Sequence, residues 1–221
     1  IIISPAKKMN IDTDSLDWTD LPQFLPEAEA IKNCLQGKAS KELQALWKCN
    51  DSIAAMNVER LQGMDLSKTL TTAILSYEGI QYQYMAPSVF EFGHLDYINE
   101  HLRILSGFYG LLRPFDGVVP YRLEMQAKLA VGKSEDLYAY WGNKLAKQLC
   151  DETDCILNLA SKEYSRAVTA HLPKEVRFVT CVFGEWQGDK LIEKGTLCKM
   201  ARGQMVRWLA DLRGNKRKAT A

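Results

Sequence analysis

Hydrophobic and polar positions recur along this chain at two periods, and the places where the period changes mark out its elements. The β-branched run Ile1-Ile2-Ile3 stops at Pro5, which has no N–H for a ladder, and predicts a short strand over 1–3. Residues 12–29 carry six acids, no base and two prolines, which predicts a solvated loop leading into a helix near 27–35. From 41 to 61, Leu43, Leu46, Trp47, Ile53, Ala54 and Val58 follow three- and four-residue steps, a helical pattern with a candidate break at Asn50-Asp51-Ser52. Residues 70–75 read as a buried strand or a short helix, 79–84 as a helix start, and 87–99 as holding a further helix. Residues 101–108 are strand-like, whereas Gly110, Pro114, Gly117 and Pro120 make 109–121 mostly loop.

The second half repeats these signals. Leu137, Trp141, Leu145 and Leu149 predict an amphipathic helix over 137–149, and the apolar 155–159 a central strand. Residues 177–183 and 190–197 flank Trp186-Gln187-Gly188-Asp189 and read as a hairpin. A last helix over 199–213 places Ala201, Met205, Trp208, Leu209 and Leu212 on one side and Lys199, Arg202, Arg207 and Arg213 away from it, with Gly214-Asn215 as its stop. The fold class expected is α/β or α+β: one domain over 1–221, with a central mixed sheet from strands near Ile1, Leu70, Arg103, Ile156, Phe178 and Leu191 and helices packed around it.

Composition changes this picture only in part. With 47% hydrophobic and 25% charged residues the chain is neither disordered nor fibrous. The net charge of +1 conceals an asymmetry, since residues 199–218 hold seven bases against one acid. Six cysteines form no CxxC pair and read as free thiols of a reducing compartment. No apolar run is long enough to span a membrane and the N-terminus is no signal peptide, so the expectation is a cytoplasmic protein. The three histidines lack ligand spacing, and neither they nor the cysteines or acids suggest a dedicated metal or iron site. Metalloprotease, dinucleotide, phosphate-loop and nucleophile-elbow motifs are all missing, so no cofactor is expected and catalysis is left open.

Three stretches carry more chemistry than loops need. Ser4-Pro5-Ala6-Lys7-Lys8 sets a hydroxyl and two amines at a strand exit, or is a plain solvated loop. Arg113 and Arg122 sit in proline-pinned segments suited to bidentate anion binding, or they pair with Asp116 and Glu124 and hold the loop. Ser161 and Lys162 follow a candidate central strand, where ligands gather in α/β folds, although Ser161 also reads as an ordinary N-cap.

At these stretches the chain resembles the YaaA peroxide-stress family, long classed only as a domain of unknown function. The resemblance rests on Ser4-Pro5-Ala6-Lys7, Tyr77-Glu78-Gly79 with Tyr82, the run from His101 to Pro114 and Pro120-Tyr121-Arg122-Leu123-Glu124-Met125. Leu137-Tyr138 with Trp141-Gly142, Asn158-Leu159-Ala160-Ser161 with Glu163-Tyr164, and Lys199 with Ala201-Arg202-Gly203 and Met205 complete it. It implies a bacterial cytoplasmic protein of the hydrogen peroxide response, limiting damage from iron, with duplex and single-stranded DNA binding. The fold implied is an unusual α/β fold with a positively charged cleft and a helix-hairpin-helix-like element. The nearest match to that element lies in 50–61, where Ile53-Ala54-Ala55-Met56-Asn57 lacks the family's glycine. Family members also continue past the arginine-rich helix, so a chain ending at Ala221 is expected to be truncated at its C-terminus.

The leading expectation is therefore sequence-independent DNA binding, with Lys7, Arg113, Arg122, Lys162, Lys199 and Arg202 as phosphate contacts. Tyr109 and Tyr121 are candidates for stacking on unpaired bases. The alternative is an enzyme acting on a nucleotide-like or small phosphorylated ligand, with Glu124, Glu163 and Tyr164 as candidate acid, base or hydrogen-bond partners.

Overall fold

In the structure, a computed structural model that describes the backbone of residues 1–218 and the side chains of residues 1–212, Ile2 and Ile3 are fully buried. Strand β1 (Ile2–Ile3) exits into β2 (Lys8–Met9), followed by the helices α1 (Leu25–Gln36), α2 (Ser40–Trp47) and α3 (Asp51–Gln62). Next come β3 (Thr71–Thr72), α4 (Ala73–Ser76), β4 (Tyr77–Glu78), α5 (Ile80–Met85) and α6 (Phe92–His101). The middle of the chain forms β5 (Arg103–Ser106), β6 (Gly110–Leu112), β7 (Gly117–Val118), α7 (Leu137–Trp141) and α8 (Lys144–Glu152). The remainder is β8 (Cys155–Asn158), α9 (Lys162–Thr169), β9 (Arg177–Thr180), β10 (Glu185–Gln187), β11 (Lys190–Ile192) and α10 (Gly195–Lys218).

The fold is mixed α/β. Among the described residues the central sheet runs β6-β5-β1-β8-β9. The β5–β1, β1–β8 and β8–β9 pairs are parallel. β6 returns antiparallel on β5. A strand apolar on both faces suits a parallel sheet covered on both sides, which is why the short Ile2-Ile3 pair sits at its centre. Because β1 and β8 are adjacent and parallel, their exits, Ser4-Pro5-Ala6-Lys7 and Ala160-Ser161, emerge side by side. Ser161 N–H donates to Ser4 Oγ at 2.8 Å and clamps the two exits together.

Several expected elements are corrected. Strands near Leu70 and Leu191 do not join the central sheet: β3 pairs with β7, and β11 with β10. The hairpin is β10–β11, whereas 177–180 extends the main sheet beside β8. Residues 109–121 are mostly loop, as expected, but the loop carries two short buried strands, β6 and β7, whose glycines sit in a tight core. The helix expected over 137–149 breaks at Gly142, whose φ of 48° ends α7. The candidate break in the helical pattern over 41–61 is present: Lys48 in the left-handed region ends α2, and Asn50, whose side chain caps Ile53 N–H, starts α3. Ile53-Ala54-Ala55-Met56-Asn57 therefore lies inside α3 rather than at a hairpin turn.

The last helix differs most. It begins earlier, at Gly195, and its backbone continues through Gly214-Asn215 to Lys218. Its buried face is Cys198, Val206 and Ala210, whereas Trp208 and Leu212 are 54% and 45% exposed. Small residues win this face because α10 lies close against α5 and α6. The side chains of Arg213, Lys216, Arg217 and Lys218 fall outside the described residues.

Residues 119–136 thread the molecule without regular structure, yet with a clear period of two. Tyr121, Leu123, Met125, Ala127, Leu129 and Val131 are buried. Arg122 and Glu124, half-buried, and Gln126 and Lys128, exposed, alternate with them. The extended segment thus carries a row of polar side chains across the surface.

Candidate functional site

The clamped strand exits form one wall of a cleft of about 390 Å³. Ser4, Lys7 and Lys8 come from the β1 exit, Glu78 to Tyr82 from the β4–α5 junction, and Glu124 from the extended segment. Ser161, Glu163 and Tyr164 belong to the start of α9, while Lys199 and Arg202 reach in from α10, one turn apart. Ligands collect beyond the carboxyl ends of parallel strands, and this cleft occupies that position.

Its walls are held by specific bonds. Tyr82 hydroxyl donates to the Ser4 carbonyl at 3.0 Å, and Ser4 Oγ meets Ser161 Oγ at 3.2 Å. Lys7 Nζ pairs with Glu124 Oε1 at 2.6 Å, and Lys8 Nζ with Glu78 Oε1 at 2.7 Å. Glu163 Oε1 accepts from Gln126 N–H at 3.3 Å, and its backbone carbonyl accepts from Tyr138 hydroxyl at 2.9 Å. Burial, and then the negative charge of Glu124, push the Glu163 carboxyl above the usual carboxylate range. Burial likewise holds the Tyr164 hydroxyl well above its ordinary value, so it stays a proton donor.

Two N–H groups on residues lining this cleft have no acceptor. Arg202 Nε and Gln81 Nε2 are both buried and unpartnered. A buried donor without a partner forfeits on the order of 1–3 kcal/mol, so natural sites leave one open mainly where a ligand or water completes it. The cleft lining thus combines four cations, Lys7, Lys8, Lys199 and Arg202, with three carboxylates, Glu78, Glu124 and Glu163, of which Glu78 and Glu124 are already paired with Lys8 and Lys7.

The family model for the peroxide stress protein YaaA matches residues 1–219 of this chain. The chain belongs to that family. A YaaA relative from Lachnoclostridium phytofermentans, named as a UPF0246 protein, is 54% identical over 211 residues, 96% of this chain and 83% of the relative. UPF0246 proteins of Agathobacter rectalis and Desulfitobacterium hafniense are 52% and 54% identical over 211 residues, covering 96% of this chain and 85% and 84% of their own lengths. Among the described residues no helix is long and apolar enough to cross a membrane. Nor is any group of three or more His, Cys, Asp or Glu side chains placed to hold a metal ion there.

Of the residues singled out from the YaaA-like sequence, Lys7, Lys199, Arg202, Glu124, Glu163 and Tyr164 all line the cleft. Others do not join them. Lys162 is 96% exposed and lies 3.8 Å from Glu193. Arg122 keeps a buried, unpartnered Nε but lies outside the cleft lining. Glu124 pairs with Lys7, so the alternative pairing with Arg122 does not form. Tyr109 and Tyr121 have no face for a base: both rings are buried, stacked and edged against Phe108. Tyr109 hydroxyl accepts from Val119 N–H at 3.2 Å, and Tyr121 hydroxyl bonds Ser106 Oγ at 2.6 Å and Tyr77 at 2.9 Å. Gln81 was not singled out, because a glutamine in a short helix carries no signal until α10 packs over it.

Arg113 lines a separate concavity of about 230 Å³ with Asp20, Arg103, Asp116 and Glu152. There the loop is held by its backbone, Arg113 N–H donating to Asp116 Oδ2 at 2.8 Å. Burial raises the Asp116 carboxyl from 3.8 to about 7 against the opposing pull of Arg113. A raised acid means that the folded state binds a proton the unfolded chain releases, so this group's contribution falls as pH rises from 3.8 towards 7. Asp116→Asn keeps the acceptor oxygen without the charge. It should raise stability at pH 8 by on the order of 2 kcal/mol and leave it nearly unchanged at pH 4, measured by urea unfolding at both. An equal effect at both pH values would rule out the buried charge as the cause.

Proposed function

We propose that this YaaA-family protein acts in the peroxide-stress response by binding nucleic acid through its phosphates, with Lys7, Lys199 and Arg202 as the contacts. One observation carries the reading: Arg202 and Gln81, on facing helices that line one cleft, each hold a buried N–H without an acceptor. A phosphate oxygen is an acceptor of the right sign for a site that also presents Lys199. The cleft holds one nucleotide unit rather than a length of duplex, which favours single-stranded or locally opened DNA. Arg113, Arg122 and Lys162 fall outside this contact.

A second reading rests on Glu163. A half-buried carboxyl raised by burial and by Glu124, in the same cleft as the cations, could move a proton on a nucleotide-like or small phosphorylated ligand. Fluorescence anisotropy with labelled single-stranded and duplex DNA at two salt concentrations separates the two. Binding by the parent should weaken with salt, and Arg202→Ala should lower affinity about tenfold, equivalent to one charge-assisted hydrogen bond. Glu163→Gln removes a repulsive charge and should leave DNA binding equal or tighter, whereas the enzyme reading requires it to abolish turnover of a nucleotide substrate. Binding indifferent to both salt and Arg202→Ala would sink the phosphate reading.

A further inference from the structure

Helix α10 is apolar on two opposite sides, and only one of them is covered. Cys198, Val206 and Ala210 are buried, and α5 and α6 are the helices against which α10 packs. At 100° per residue, Leu197, Ala201, Trp208 and Leu212 fall in a second stripe, about 60° wide, on the far side. Leu197, Trp208 and Leu212 are 43%, 54% and 45% exposed there. A helix apolar on both sides is normally packed on both, yet among the described residues this stripe has no covering element. None of its positions carries a charge, including Gln204 and Met205 at its centre.

The stripe is also its own complement. Leu197 and Ala201 open into a groove of about 350 Å³, whose other walls include Val182 and Phe183, just before β10, and Ile192 of β11. Trp208 stands as an exposed knob two turns further along the same face, about 10 Å away at 1.5 Å per residue. Knob and hole share one face, so an antiparallel copy of the helix brings each knob to the other's hole. In the register that crosses between Gln204 and Met205, Trp208 meets Ala201 and Leu212 meets Leu197, and each contact is made twice. Large against small is how helix faces interdigitate. Two such stripes, each about 23 Å long, bury on the order of 1,000 Å² together with the adjoining hairpin edges, the lower limit of a specific interface.

We propose that α10 is the interface of a homodimer, two copies packing stripe to stripe in antiparallel, with Trp208 of each seated in the groove at Ala201 of the other. Lys199 and Arg202 leave α10 on the covered side, so this pairing stands apart from the nucleic-acid reading of the cleft.

Sedimentation equilibrium of the full chain from about 1 to 200 µM tests it, and the parent should pass from monomer to dimer with a Kd on the order of 10 µM. Trp208→Glu should raise that Kd at least about a hundredfold, because each dimer loses two seated indoles and meets two carboxylates instead. Ala201→Lys should do likewise by blocking the groove. Mixing the two variants reads the register. In their heterodimer one end keeps an indole over an open groove and the other sets the new lysine against the new glutamate. An equimolar mixture should therefore associate at least about tenfold more tightly than either variant alone. Thermal melting checks that each variant is folded; if Ala201→Lys is not, Leu197→Lys with Leu212→Glu, both at half-exposed positions, makes the same mixing test. A parent still monomeric at about 200 µM overturns the dimer, whatever else covers the stripe. A dimer indifferent to Trp208→Glu overturns the interface, and a mixture no tighter than its components overturns the register.

Discussion

Gly203→Ala should destabilise the fold by about 3 kcal/mol or more, because a single methyl group there has nowhere to go. Gly203 lies where α10 crosses α5, and a Cβ on it would overlap the carbonyl oxygen of Gln81. It would also stand 3.0 Å from the Gln81 carbonyl carbon and the Met85 backbone nitrogen. All three obstacles are backbone, so no rotamer change relieves them and the helices must separate. Small faces at helix crossings permit close approach, and their enlargement is felt directly as overpacking. Arg202 is the preceding residue, so separating the helices also withdraws its guanidinium and the ammonium of Lys199 from the cleft. Urea unfolding should show the loss, and anisotropy at a temperature where the variant is still folded should show weaker DNA binding than the parent. Gln204→Ala, on the exposed side of the same turn, is the control and should change stability by less than about 0.5 kcal/mol. A Gly203→Ala variant as stable as that control would disprove the close crossing.

Trp141→Ala should cost a similar or larger amount, about 3–5 kcal/mol, through the loss of a fully buried aromatic side chain. The indole lies edge-on to Phe24, with ring centroids 5.8 Å apart, and its Nε1 donates to the Gly107 carbonyl at 3.1 Å. It also fills the space over Gly110, whose φ of 75° and absent side chain make room for it: a Cβ there would meet the ring at 2.6 Å. Removing the indole leaves both a cavity and an unpaired carbonyl between β5 and β6. Trp141→Phe keeps most of the packing and loses only the hydrogen bond, so it should fall by about 1–2 kcal/mol. The ordering of the two variants in chemical denaturation is the decisive measurement. If alanine and phenylalanine cost the same, the packing contribution assigned to the ring is wrong.

Both residues lie in stretches that the resemblance to the YaaA family quotes, Trp141-Gly142 and Ala201-Arg202-Gly203. Neither position announces its role locally. Periodicity placed the last helix but turned its apolar face towards Trp208 and Leu212, since a hydropathy pattern rewards large side chains. The packing of α10 on α5 and α6 instead selects small ones, Gly203 and Ala210, because interhelical distance decides what can be buried. The same substitution of geometry for hydropathy explains 109–121: glycines and prolines read as loop, but Gly110 and Gly117 are strand residues where bulky neighbours press on the backbone. The alternation Tyr121, Leu123, Met125, Ala127, Leu129, Val131 is written in the sequence, but the prolines and glycines before it hide it, and in the structure the segment is buried on one side without a strand ladder.

The sequence by itself determined central strands near 1–3, within 101–108 and 155–159 and near Phe178, the stop at Pro5, and the family. It also marked residues that line the cleft, since Lys7, Glu124, Glu163, Tyr164, Lys199 and Arg202 stand in motifs that single them out before any fold is known. Only the tertiary structure decided which of the marked residues lie together. Parallel pairing of β1 with β8 sets Ser4 against Ser161 across 157 positions of chain, and the α10–α5 crossing brings Arg202 over Gln81. Arg113 and Lys162, equally prominent in sequence, end on other surfaces. Residue type and local period fix what a side chain can do. Its neighbours are set by contacts between distant segments, whose closure depends on the packing of the whole sheet and its helices.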